Sequence, residues 1–263
     1  MAVELPEPDR TLLARSPITS VVCQVRYEPN LRASQADVAL AVQDALGGRE
    51  GRYPKLDQLS ELSVNIAMIG GAPPAATQQQ GIGWKISSDD DAYAVTLTPS
   101  HVSLEAARYE GWAEDFSGRL RELLAAASTH IQPVLEQRLG LRYINQITEP
   151  EIREGTGWQE WIAAPVLGLA SDPLLADAVT LMRHQDVLRL DDEAVCTFTH
   201  GYAPDQSREN ALTFLIDLDV SRQGNRPFDI ESLMTAAERF NTYALALFQR
   251  ATTEALRQRF AQP

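Results

Sequence analysis

The sequence has few of the residues and motifs by which catalytic sites are recognised. It contains two cysteines and four histidines among 263 residues, and their spacing fits no zinc-binding motif. No P-loop, His-Glu-x-x-His helix, paired Cys-x-x-Cys or Gly-x-Ser-x-Gly turn occurs. The known nucleotide-dependent and hydrolytic classes therefore lose most of their support. We predict no catalytic residue, no metal site and no cofactor, although an enzyme of another kind stays open.

Positive charge and long apolar runs are also scarce. Lys and Arg number 23 against 36 acidic residues, which gives a net charge of −13 and argues against general nucleic-acid binding. No apolar run approaches the roughly 20 residues that span a bilayer, so no membrane association is expected. Residues 1–8 lack the features of a signal peptide. Cys23 and Cys196 lie far apart in strand-like contexts, which indicates buried free thiols and a cytoplasmic location.

Periodic stretches are plentiful in the first half of the chain. Residues 18–29 alternate as a strand does, and Ser34 is a candidate cap for a helix that ends at Gly47. Residues 62–69 predict a second strand and residues 70–81 a flexible connection. The next elements are a hairpin around residues 89–91, a strand at 101–106 and a helix from Tyr109 to residue 131. Pro133 predicts a kink or a further helical piece to residue 140, followed by a strand at 141–147 and a boundary at 149–157.

The second half of the chain loosely repeats this order of predicted strands and helices. Residues 158–169 predict a short helical stretch, residues 177–190, 193–202 and 211–221 predict three strands, and residues 228–260 predict one unbroken helix. We therefore expect an α+β fold of antiparallel β-meanders, each followed by a long amphipathic helix. A pseudo-duplication is one interpretation. The expected halves are residues 1–150 and 151–263, packed as one unit.

Charged residues inside predicted strands are the best candidates for a binding site. Arg142 lies between Leu141 and Tyr143, where an unpaired buried cation would be costly, so we expect a buried Arg142 bonded to Asp217 or Asp219. Arg26 occupies a similar place in the first strand. These residues either form cross-strand ion pairs or line a groove for a charged ligand or peptide. Asn145, from the same segment as Arg142, completes this polar set.

Several other groups have a functional and a purely structural interpretation. Trp158 and Trp161 are three residues apart, as in an aromatic binding patch or in a helical core. His184 and Asp186 share one strand face, where they could orient a proton transfer or simply face solvent. Cys196 and His200 are about 13 Å apart on a strand, too far to share a metal ion. The acidic runs at residues 89–91 and 191–193 read as solvated turns.

The order of several segments resembles a known family. The resemblance is carried by residues 16–29, Gly83-Trp84, Tyr109-x-x-Trp112-x-x-x-Phe116, Arg138-Leu139-Gly140-Leu141-Arg142-Tyr143-Ile144-Asn145 and Phe248-x-x-x-Thr252-x-x-x-Leu256. Together they resemble a sporadically distributed bacterial family with no assigned activity, over nearly the whole chain. Relatives often have a histidine near position 241, where this chain has Asn241. Patchy distribution implies a link to mobile or defence-linked genes.

Two functions remain from this reading. The first is a non-catalytic protein that binds another protein, such as an antitoxin, immunity or chaperone-like component of a defence or toxin-associated locus, with a homodimer as an open alternative. The second is a small-ligand-binding protein, or an unrecognised enzyme, with a polar pocket between sheet and helix. The residues expected at either site are Arg26, Arg142, Asn145, Asp217, Asp219, Trp158 and Trp161.

Overall fold

The fold is mixed α+β and is built on one antiparallel sheet. A computed structural model describes residues 3–67, 75–148, 157–205 and 211–262. Nine strands pair in the order β2-β3-β4-β5-β1-β6-β9-β8-β7. The strands are β1 (Ile18–Tyr27), β2 (Lys55–Ala67), β3 (Ala75–Ser87), β4 (Tyr93–Thr98), β5 (His101–Ala106), β6 (Leu135–Thr148), β7 (Met182–Arg189), β8 (Ala194–Asp205) and β9 (Ala211–Pro227).

Five α-helices are present in the described part of the chain. They are α1 (Ala36–Ala45), α2 (Ser117–His130), α3 (Ala164–Leu167), α4 (Ile230–Ala251) and α5 (Glu254–Ala261). A π-helical turn, Trp112–Phe116, leads directly into α2. None of these helices is both long and apolar enough to cross a membrane.

The helices pack on one face of the sheet, and strand alternation explains why. In β1, Val21, Cys23 and Val25 are buried while the residues between them are not, because successive side chains point to opposite faces. The buried residues belong to one core shared with α2 and α4. We call this side the helix face and the opposite side the outer face. Cys23 and Cys196 are both free and buried, so the predicted buried thiols are confirmed. Burial raises the pKa of each thiol to about 12.

The centre of the sheet joins strands from both ends of the chain. β6 pairs on one side with β1, where Arg142 is opposite Val22, and on the other with β9, where Arg142 is opposite Asp219. On the helix face, β6 and β9 also share a buried ion pair. Arg222 donates to both carboxylate oxygens of Glu136, at 2.8 and 2.7 Å, with side chains 5% and 1% exposed.

The prediction of one unbroken helix over residues 228–260 is wrong. The chain is extended at Thr252 and Thr253, between α4 and α5. Thr252 forms an antiparallel bridge with Ile162, and the Thr253 amide donates to the Trp161 carbonyl. The Thr253 hydroxyl then accepts from the Leu256 amide and caps α5. The segment has helical periodicity and contains no Gly or Pro, yet pairing with a distant part of the backbone ends the helix here.

Other boundaries also differ from the sequence-based prediction. Residues 135–140 belong to strand β6 and do not form a helical piece after Pro133. Residues 75–81 of the predicted flexible connection are strand, because their backbone pairs with β2 in unbroken register. Ser34 ends a 3-10 turn, and α1 begins two residues later. Residues 158–169 form separate short helical turns. Residues 70–74 and most of the predicted boundary at 149–157 lie outside the described residues.

Candidate ligand-binding site

The predicted polar set does not form one site, because its members lie on both sides of the sheet. Arg26, Arg142, Asp217 and Asp219 alternate with core residues in their strands and therefore lie on the outer face. Asn145 lies on the helix face, in register with Ile216 and beside Tyr143 by alternation. The structure thus separates the charged candidates from the amide.

On the outer face, two arginines of β6 form ion pairs with carboxylates of β9. Arg142 donates to both oxygens of Asp217 at 2.8 and 2.6 Å, and Arg138 Nη2 donates to both oxygens of Asp219 at 2.9 and 2.8 Å. The hydrogen bond to Asp217 holds the pKa of Arg142 above its usual value. The predicted pairing of Arg142 is confirmed. Its predicted burial is wrong, because 48% of the side chain is exposed.

Gly140 explains how these pairs form diagonally across the two strands. Arg142 is directly opposite Asp219 in the register, yet it bonds Asp217 and leaves Asp219 to Arg138. The guanidinium of Arg138 lies over Gly140, where a Cβ atom would collide with it. The glycine in this strand therefore provides the space that the second ion pair needs.

Arg26 and the two tryptophans play other parts. Arg26 is exposed on the outer face, opposite Arg138 in the register. Trp161 is buried in the core, with 5% exposure. The half-buried Trp158 stacks on Tyr202 at 5.8 Å between ring centroids and contacts Phe214 at 5.4 Å. The packing interpretation of the tryptophan pair therefore describes their position, since neither forms an exposed aromatic patch.

A cavity of about 580 Å³ lies on the helix face, between the sheet and the N-terminal segment that precedes β1. Its floor is formed by Tyr143 and Asn145 of β6 and Leu218 of β9. Helix α4 provides one wall and residues 109–114, at the start of the π-helical turn, provide another. Cavities of roughly 300–1,000 Å³ with mainly apolar walls are typical of sites for small molecules.

Two buried amides line this cavity, and each uses only one of its polar atoms within the chain. Asn145 is 3% exposed and donates from Nδ2 to the Ile216 carbonyl at 3.1 Å. Asn241, in α4, is 6% exposed and accepts at Oδ1 from the Tyr143 hydroxyl at 2.8 Å. Within the described part of the chain, Asn145 Oδ1 and Asn241 Nδ2 have no hydrogen-bonding partner. One acceptor and one donor are therefore available to an occupant.

A pair of tyrosines fixes the orientation of Asn241. The Tyr143 hydroxyl is 3.3 Å from the Tyr109 hydroxyl, and the two rings meet edge to face at 5.7 Å. Burial raises the pKa of Tyr109 to about 12 and the pKa of Tyr143 well above its usual range. Both phenols therefore stay protonated at neutral pH. Tyr109 donates to Tyr143, which donates to Asn241, so the amide nitrogen of Asn241 is the group left over.

Residues 9–17, which we call the N-terminal strap, form the roof of the cavity. The Asp9 amide and carbonyl bond the Gln249 side chain at 3.0 and 2.6 Å, and Arg10 reaches Glu238 and Thr242 at 3.0 and 2.9 Å. At the other end of the strap, Arg15 donates to backbone carbonyls of residues 259, 260 and 262. The strap is thus attached to α4 and α5 on either side of the cavity.

The rim of the cavity carries negative charge. Glu110 and Glu114 line it and are exposed. Within the described residues neither forms an ion pair, whereas the cation Arg10 is already paired with Glu238. Glu238 also accepts a hydrogen bond from the indole of Trp112. The rim therefore disfavours anions, in keeping with the acidic composition of the whole chain.

The histidine candidates assemble differently from the prediction. Asp186 Oδ2 is 3.5 Å from Nε2 of His200, across two strands, and the His184 ring stacks on His200 at 5.3 Å. His200 is buried and the pKa of its imidazole is lowered, first by burial and then by His184. The cluster lies on β7 and β8, the strands that follow β9 in the sheet order, and none of its three residues lines the cavity. No group of three or more metal-ligating side chains suited to an ion exists among the described residues.

No family model, no curated protein and no solved structure matches this chain. The site therefore has to be interpreted from its own geometry. Sequence reasoning found Asn145 but missed Tyr109, Tyr143, Asn241 and the strap as site residues. An asparagine within the apolar stripe of α4 was the one available signal, since a buried amide needs partners.

Proposed function

We propose that this protein binds a small molecule in the cavity beneath the N-terminal strap. The observation that carries this proposal is a pair of amide atoms, Asn145 Oδ1 and Asn241 Nδ2, on side chains that line the cavity, for which the described residues provide no hydrogen-bonding partner. Neither is among the fully buried polar atoms that lack a partner, so both are accessible from the cavity and can form hydrogen bonds with an occupant. Arg138, Arg142, Asp217 and Asp219 of the outer face, in contrast, already pair with one another.

An uncharged, environment-sensitive dye tests this function. Nile red should bind with a blue-shifted emission and a stoichiometry of one per chain. In the variant Ala244→Phe we expect binding at least about tenfold weaker, because the new ring occupies space along the wall that α4 provides. The matched control is Ala125→Phe, on the exposed side of α2. Loss of the folded state in Ala244→Phe would be detected by circular dichroism, and Leu245→Trp then provides the second wall variant. Equal binding by all variants would contradict the proposal.

A second candidate function is self-association through β7. This strand ends the sheet order, so β8 is its one neighbour among the described strands. Exposed apolar side chains accumulate on the chain segment that leads into and forms this edge, namely Leu169, Leu174, Leu175, Leu181 and Val187. Two copies of β7 paired antiparallel about Gln185 would place His184 opposite Asp186 and Met182 opposite Leu188 of the second copy. These contacts are complementary in charge and in apolarity.

Sedimentation velocity tests this interface. A concentration-dependent dimer is expected, with Val187→Lys shifting the equilibrium toward monomer. Leu31→Lys is the matched control, because Leu31 is also exposed (74%) and lies far from β7 in the chain. A monomer at all concentrations would rule this candidate out. The wider prediction of a defence or toxin-associated role rests on the resemblance, and that of a duplicated ancestry rests on the loosely repeated order of elements. The predicted cytoplasmic location rests on the free thiols.

A further inference from the structure

We infer that the cavity selects an uncharged, predominantly apolar molecule that carries a single carboxamide-like group. This inference rests on the proposed ligand-binding function and names the chemistry of the ligand. A carboxamide combines an N–H donor and a C=O acceptor in one neutral group. The cavity offers the complementary atoms, an acceptor at Asn145 Oδ1 and a donor at Asn241 Nδ2.

The polarity of these two atoms is determined by the surrounding structure. Asn145 has to present its oxygen, because the Ile216 carbonyl takes the Nδ2 hydrogen bond. Asn241 has to present its nitrogen, because the Tyr143 hydroxyl donates to Oδ1 and is itself backed by Tyr109. The raised pKa values of both phenols keep these donors protonated across the neutral range. The pattern of one donor and one acceptor therefore does not change with pH near 7.

Charge narrows the class of ligand further. A carboxylate of the same shape would lack the N–H donor and place an anion beside Asn145 Oδ1. It would also enter past Glu110 and Glu114, which have no ion-pair partner in the described chain. An ammonium group would be attracted to the rim, yet it offers no acceptor to Asn241 Nδ2. Only a neutral head group that both donates and accepts satisfies the two amides.

The remaining walls fix the character of the rest of the ligand. Leu218 in the floor and Ala244 and Phe248 in the α4 wall are apolar, and all three are buried. The π-helical turn adds Trp112 beside Gly111, which has a positive φ of 134°. A flat or branched apolar body bearing one polar end therefore suits this cavity better than a sugar or a nucleotide, which would bring many more polar groups than the walls can satisfy.

Three naphthalene compounds with the same ring test this assignment. 1-Naphthaleneacetamide, 1-naphthaleneacetate and 1-naphthylethylamine differ mainly in the polar end. Each is titrated against the full chain by isothermal calorimetry and by displacement of Nile red at pH 7.5. We expect the amide to bind about tenfold more tightly than the acetate, with the amine between them.

Two sets of variants locate the preference. Asn241→Leu should reduce the preference for the amide over the acetate to less than about threefold, because the donor is lost. Asn225→Leu, an exposed asparagine in β9, is the matched control and should keep the preference of the unmodified chain. The double variant Glu110→Gln/Glu114→Gln should improve acetate binding and leave amide binding almost unchanged. Circular dichroism and Nile red binding confirm that each variant is folded.

The outcomes separate this inference from the function on which it rests. Acetate binding as tight as amide binding in the unmodified chain would overturn the ligand class, and so would an unchanged preference in Asn241→Leu. If Nile red binds and responds to Ala244→Phe but no naphthalene compound displaces it, the ligand class is wrong and the cavity remains a binding site. If Nile red itself does not bind, the proposed function fails first.

Discussion

On the outer face of the sheet, Arg142 and Arg138 each donate to both oxygens of an aspartate, whereas at the helix-face cavity Asn145 and Asn241 each keep one atom that no described residue bonds. The outer-face charges look like a functional cluster in the sequence because they interrupt apolar strands. In the structure these arginines and aspartates pair with one another and hold β6 to β9. The amides attract less notice in the sequence, yet at the cavity they have hydrogen-bonding capacity that the described residues do not use. Unmet capacity is therefore a better guide to a site here than charge.

A second contrast separates ion pairs by burial. Glu136 and Arg222 are almost fully withdrawn from solvent on the helix face, while the pair of Arg142 and Asp217 has one half-exposed partner. Solvent screens the outer pair and cannot replace a lost partner of the inner one. The same residue chemistry is expected to have very different effects on stability at the two places.

The largest expected effect comes from breaking the inner pair. Glu136→Ala should lower the free energy of unfolding by about 3–5 kcal/mol, because the Arg222 cation would be left buried without its partner. Urea unfolding followed by circular dichroism measures this change. The double variant Glu136→Leu/Arg222→Met removes both charges and should recover most of the loss. A loss below about 1 kcal/mol for Glu136→Ala would show that the two faces do not differ in this respect.

A smaller effect is expected on the outer face. Arg142→Met should lower the free energy of unfolding by about 1–3 kcal/mol, because Asp217, only 11% exposed, loses its partner while the methionine stem covers the same strand surface. Nile red binding should be unchanged, since Arg142 lies on the side of the sheet opposite the cavity. A folded Arg142→Met variant that loses binding would transfer the site to the outer face and reverse the comparison.

The smallest effect concerns pH. The pKa of His200 is lowered in the folded state, so as pH falls below the unfolded value of about 6.5 the unfolded chain takes up a proton first. The contribution of neutral His200 to stability is therefore fully present above pH 6.5 and is lost as the pH falls toward the folded pKa. The loss is about 1.4 kcal/mol for each pH unit by which the folded pKa lies below the unfolded pKa. Urea unfolding between pH 7.5 and 5 measures this slope, and His200→Gln should flatten it. Stability that rises as the pH is lowered would show that Asp186 outweighs burial.

The sequence predicts the features that are set within single strands. It does not predict those that depend on contacts between residues far apart in the chain. Alternation in β1 and β9 correctly indicates the strands and names Asp217 as a partner of Arg142, because both signals lie within single strands. The cavity has no such signal, since the strap, the π-helical turn and α4 meet from positions more than 90 residues apart. The break at Thr252 was likewise missed because its cause is the distant Ile162.

The N-terminal strap is synthesised long before the residues that hold it over the cavity, so the binding site forms late in synthesis. Residues 9–17 leave the ribosome early, whereas the groups that hold them, from Glu238 to Gln262, are synthesised more than 200 residues later. The roof of the cavity therefore cannot be fastened until synthesis has passed α5. A chain stopped before that point could form strands β1 to β6 but would have neither the α4 wall nor anything to hold the strap. Ligand binding thus reports that the strap has been joined to helices α4 and α5.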